Sequence, residues 1–183
     1  MSDSYMPNAL RFAAIFAVIS FLLGLVMGYL VPAMEPSMTV MFIPSLFGGV
    51  ICLVAAIAGL LVVRSQINAT QTPMTAGNGA VVGLVTGVMI AVFSGVLSLL
   101  WDVIDPNFSS NMLNAMVNAM ESMEMDQAAR DQAIDQIMAN DPTNITTRLT
   151  SLAVSVLVTG IMNLISGIIG ASIYSKKFSK EIG

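Results

Sequence analysis

Four stretches of this chain, residues 12–31, 39–63, 79–101 and 149–174, contain no Lys, Arg, Asp or Glu. They are 20, 25, 23 and 26 residues long and almost wholly apolar. As helices, at about 1.5 Å of rise per residue, each reaches roughly 30 Å or more, enough to cross a bilayer's hydrocarbon core. A helix satisfies its own backbone polar groups in lipid, and the runs lack the alternation of barrel strands. The pattern predicts an all-α integral membrane protein with four transmembrane helices, forming a single membrane domain over residues 1–183. Residues 31–33, Val-Pro-Ala, look like a signal cleavage site. The preceding run is longer than the 7–15 residues typical of a signal h-region, so the first helix is expected to stay.

Composition narrows the function classes. Histidine is absent, which removes the usual general base near neutral pH and the commonest metal ligand. A single cysteine, Cys52, excludes an internal disulfide and any CxxC motif. The net charge of −4 offers no basic footprint for nucleic acid. No nucleophile–base pair can be assembled, so the expectation is a protein that is not an enzyme and uses no cofactor.

Basic residues near span ends set orientation. Arg11, Arg64, Lys176, Lys177 and Lys180 fall on one side of four alternating spans, Arg130 and Arg148 on the other. The bias predicts cytoplasmic termini in a bacterial inner membrane. Tyr29 and Trp101 then lie at the outer interface, as aromatic belts prefer.

Residues 102–148 would form an extracytoplasmic segment with eight acids and two arginines, net −6. Two amphipathic helices are predicted in it. The first, about residues 110–123, repeats Met112, Leu113, Met116, Val117 and Met120 at helical spacing, with Ser109 or Ser110 as N-cap. The second, about residues 127–139, starts at Asp126 and ends before Asn140, Asp141 and Pro142. Lipid-surface helices usually have basic polar faces, so this acidic pair is expected to dock on protein. Met112, Met116, Met120 and Met123 form one stripe whose thioethers would suit Cu(I). Packing outweighs that reading, because methionine is a common apolar gap-filler and no histidine supports a mixed site.

Small residues recur every fourth position in the third span: Gly79, Gly83, Gly87, Ala91 and Gly95. The fourth span repeats the device with Ser151, Ser155, Thr159, Asn163, Gly167 and Ala171, and the second offers Gly48, Cys52 and Ala56. Such stripes let helix backbones approach closely in lipid. Gly83 and Gly87 are expected to face Ser155, Thr159 and Asn163. Asn163 is the strongly polar group near mid-span, and Pro44 is expected to kink the second helix.

Taken together, the glycine segment at 79–90, the Asp105-Pro106-Asn107-Phe108 junction, the methionine-rich acidic helices and the Gly-rich last span ending in Lys176-Lys177 resemble a bacterial membrane family, domain of unknown function 4199. The resemblance covers nearly the whole chain and implies a four-helix inner-membrane topology. It implies no activity and transfers no catalytic residue. The expected function is that of a scaffold or accessory subunit in a larger membrane assembly, with lipid, other membrane proteins or further copies as partners. The alternatives are a small-solute transporter or channel component, which would need a cavity lined by Thr86, Ser94 or Asn163, and methionine-based metal handling.

Overall fold

A computed structural model describes residues 5–141 and 144–182, with side chains to residue 179. Pro142, expected to end the second short helix, and the side chain of Lys180 lie outside the described residues. Six α-helices and a short 3-10 turn, with no strand among the described residues, make up the chain. Four helices are long and apolar enough to cross a membrane: α1 (Met6–Leu30), α2 (Met38–Thr70), α3 (Ala76–Ile104) and α6 (Ile145–Ile182). Two short ones, α4 (Phe108–Glu121) and α5 (Gln127–Ala139), lie between α3 and α6.

The long helices outrun the charge-free stretches that announce them. The connection expected over residues 64–78 shrinks to 71–75, because α2 continues through Arg64, Gln66 and Asn68 to Thr70. Polar residues end a span without ending a helix, since the i→i−4 hydrogen bonds continue wherever no proline or glycine interrupts them. Gln71 closes α2 in the left-handed region, at φ 51°, and its Nε2 donates to Asn68 O at 2.6 Å. Thr75 then caps α3 by accepting from Asn78 N–H. At the opposite end the 3-10 turn Val31–Ala33 and the extended Ser37 join α1 to α2, with Pro44 contained in a continuous helix.

The spans form a ring in which α3 packs most extensively on α6, α6 on α2, α2 on α1 and α1 on α3. Both described chain ends and the α2–α3 turn share one end of the bundle, called here the termini end; α4 and α5 cover part of the other, the cap end. At the termini end Ala9, Val62, Val63, Ile67, Val82 and Ala171 form a tight core, flanked by Phe12, Tyr174 and Phe178. Polar links tie the same end together. Asn8 Nδ2 donates to Gln66 Oε1 at 2.9 Å, Ser175 Oγ accepts from Met74 N–H and donates to Met74 O, and Arg64 stacks over the Tyr174 ring.

The packing changes sharply along the bundle axis. No residue is buried in residues 41–54 of α2, 92–104 of α3 or 145–158 of α6. Their other halves hold Ala55, Ala58, Val62, Gly83, Thr86, Ile90, Asn163 and Gly167, all buried. The bundle is closed toward the termini and parted toward the cap.

The first cap helix is shifted from expectation and the second is not. The first begins two residues earlier, at Phe108, because the Asp105-Pro106-Asn107 turn closes on itself: Asn107 N–H donates to Asp105 Oδ1 at 3.2 Å. Asn107 is its N-cap, and Ser110 Oγ bonds back to Asn107 O. The second occupies Gln127–Ala139, with Asp126 accepting from Ala128 N–H, as the sequence suggests. Helix α4 meets the bundle through Ala115 and the fully buried Ala119, packed on Met27, Val31 and Val40. Its Met112, Met116 and Met120 turn instead toward α5, across a groove of about 530 Å³ completed by Ala133 and Ile137.

Candidate functional site

The α3–α6 seam is built from residues without side-chain bulk. A Cβ added at Gly83 would collide with Asn163 O, and one at Gly87 would lie 2.5 Å from Thr159 O and 2.8 Å from Asn163 Cβ. At Gly79 it would lie 2.5 Å from Gly167 O and 2.7 Å from Ala171 Cβ. Real Cβ atoms do not approach so closely, so only glycine permits this contact between backbones. From α2, Gly59 completes the junction, its Cα facing the Asn163 carbonyl. Asn163 is fully buried where three helices meet; Nδ2 donates to Thr159 O at 3.0 Å and Oδ1 has no hydrogen-bond partner. Ala91 is buried one turn above Gly87, whereas Gly95 lies against the Leu152 side chain and Ser155 is exposed. The small-residue contact thus runs from Gly79 to about Ala91 and stops where the bundle parts.

Above that junction lies a central cavity of about 330 Å³, walled by all four long helices. Ala55, Ile90, Ala91 and Thr159 form its base, and Ser20, Ser94, Ser98 and Ser155 supply hydroxyls to its wall. Phe21, Leu25 and Ile51 make the apolar side; Trp101, Phe108 and Ser109 lie toward the cap. Ser94, expected as a lining residue, does line this space. Thr86 and Asn163 do not: Thr86 donates to Val82 O within its own helix, and Asn163 is locked in the seam below. Cys52 is half-buried on the wall.

One ion pair bridges the mouth. Arg148 Nη1, at the start of α6, meets Asp102 Oδ2 near the end of α3 at 2.6 Å, and Ser109 Oγ donates to Asp102 Oδ1 at 3.2 Å. Each charge sits at the less favourable end of its helix dipole, an acid near a C-terminus and a cation near an N-terminus. Pairing them offsets that penalty. Alongside, Tyr29 OH donates to Asp105 Oδ2 at 2.7 Å, and the rings of Tyr29, Phe108 and Trp101 meet edge to face. The Phe108 ring occupies the space a side chain on Gly28 would need.

The sequence points to Ser94 as a lining residue but not to its meeting with Ser20 and Ser155 in one cavity. Its hydroxyls come from three helices with no common spacing, and their convergence depends on relative register and on the parting of the cap-end halves. Among the described residues, no group of three or more Cys, Asp or Glu is arranged to hold a metal ion. Met112, Met116 and Met120 line the α4–α5 groove; Met123 is half-buried outside it.

Comparison with curated proteins and with solved structures gives no match. A family model described as protein of unknown function, DUF4199, matches residues 11–176, and the chain belongs to that family.

Proposed function

We propose that this protein is a non-enzymatic subunit that scaffolds a larger assembly in a bacterial inner membrane, with both termini in the cytoplasm and α4 and α5 outside. The observation that carries the reading is the cap-end half of α2. Ser45, Gly48 and Gly49 are exposed there, and a Cβ on either glycine would meet nothing within 4 Å. Glycine in a helix interior costs about 0.8–1.0 kcal/mol relative to alanine, and contact with lipid tails gives no reason to accept that cost. A closely packed helix from another membrane protein does, because small residues let backbones approach. The lack of histidine and of a nucleophile–base pair supports a role in assembly over catalysis.

Purification in mild detergent followed by mass spectrometry tests the proposal. The expected result is a stoichiometric membrane partner that Gly49→Leu releases without lowering the thermal stability of the purified chain. A strictly monomeric particle, or a partner equally retained by Gly49→Leu, overturns it.

A further inference from the structure

The central cavity carries a second inference, independent of the α2 surface. We propose that it binds a neutral amphiphile: an apolar body bearing a carbonyl oxygen that accepts a hydrogen bond from Ser20. Hydroxyls inside this protein's helices generally return to a carbonyl one turn back, as Thr86 does to Val82 O, Ser98 to Ser94 O and Ser172 to Ile168 O. Ser20 does not. It is only 7% exposed, lines the cavity, and its Oγ has no hydrogen-bond partner. A buried polar group left unpaired is costly, and a ligand oxygen removes that cost. Trp101 Nε1, also buried on this wall, is a donor only and lies beside the Tyr29 hydroxyl. A ligand acceptor in the cavity therefore satisfies the Ser20 hydroxyl.

Charge and shape define the rest of the ligand. Asp102, the charged residue on the cavity wall, is paired with Arg148, so the wall offers a ligand no unpaired charge. Phe21, Leu25, Ile51 and Phe108 suit an apolar body. A volume near 330 Å³ lies at the small end of ligand pockets and fits one ring or one chain, not a whole two-chain lipid. The wall residues Ser94, Ser98, Asp102 and Ser155 are shared with an adjoining space of about 370 Å³ between α3 and α6, beside Leu149 and Leu152. Such an amphiphile could reach the cavity as a free small molecule or as part of a membrane lipid; the chemistry recognised is the same.

Trp101 is the single tryptophan of the chain and stands on the cavity wall, so its fluorescence reports occupancy. The intact protein is titrated with a decyl-substituted benzoquinone in lipid-free micelles, and with a brominated diacylglycerol in nanodiscs; both probes are neutral, carry carbonyls and quench tryptophan. Saturable quenching by either supports the proposal, and the probe that saturates identifies the source, free amphiphile or lipid. Ser20→Ala should weaken that binding by about tenfold, the effect of one missing buried hydrogen bond. Gly24→Leu should abolish it by filling the space, since a Cβ there meets nothing within 4 Å and the fold has room for it. Circular dichroism and thermal melting establish that both variants are folded. Quenching that rises linearly with both probes, or that saturates identically in wild type, Ser20→Ala and Gly24→Leu, overturns the proposal.

Discussion

Glycine does opposite things at different positions of this protein, and the difference is a matter of what faces its Cα. At Gly87 the space is filled by the backbone of α6, with Thr159 O 2.5 Å and Gly160 Cα 3.0 Å from any Cβ. Backbone cannot swing aside as a flexible side chain can. Gly87→Leu should therefore lower unfolding free energy by at least about 3 kcal/mol, the upper end of the cost of overpacking. Gly48→Leu, on an open face, should cost nothing and, on helix propensity alone, add up to about 0.8 kcal/mol. Unfolding in mixed micelles by SDS titration checks both; equal midpoints for the two variants would remove the case for a glycine-dependent seam. The period-four pattern of Gly79, Gly83 and Gly87 was legible because a helix repeats its face at that interval. Which residue of α6 opposes each glycine was not, because antiparallel helices can slide by a turn and keep the same pattern. Only the structure pairs Gly83 with Asn163 and Gly79 with Gly167.

At the scale of elements, hydropathy marked where lipid would end rather than where helices end. Its boundaries thus fall inside α2, α3 and α6, and the first run starts inside α1 and ends one residue past it. Helix α5 was readable to its bounds because Asp126 supplies a side-chain cap; α4 begins earlier than the serines suggested because an aspartate turn starts it instead. Periodicity also located the methionine stripe without saying what covers it. The alanines Ala115 and Ala119 hold α4 to the bundle, while Met112, Met116 and Met120 line its groove with α5. Burial of those side chains is non-directional, worth about 25 cal/mol per Å² of apolar surface. Changing all three to leucine should leave melting within about 1 kcal/mol of wild type, as volume-conserving swaps do. Changing them to glutamine should release α5, detected as protease cleavage between residues 122 and 126. Loss of a tightly bound Cu(I) in the leucine variant would show that thioether ligation, not packing, maintains the stripe.

For the whole molecule the basic residues divide by bundle end: Arg11, Arg64, Lys176 and Lys177 toward the termini, Arg130 and Arg148 toward the cap. Positive charge near span ends is retained on the cytoplasmic side. Alkaline phosphatase fused after Met125 should be active and after Gln71 silent; the reverse pattern would invert the proposed orientation. The same axis separates two mechanical regimes. Contact between backbones leaves the termini half little freedom, because close-packed interiors deform poorly. The cap half is tied by the Arg148–Asp102 pair, the Tyr29–Asp105 and Ser109–Asp102 hydrogen bonds, a ring resting on Gly28, and the alanine face of α4. Such a molecule behaves as a pair of tongs with its pivot at Asn163. A small change in spacing between the free arms, whether from a neighbouring helix or from a molecule held between them, can be accommodated without disturbing the grip below.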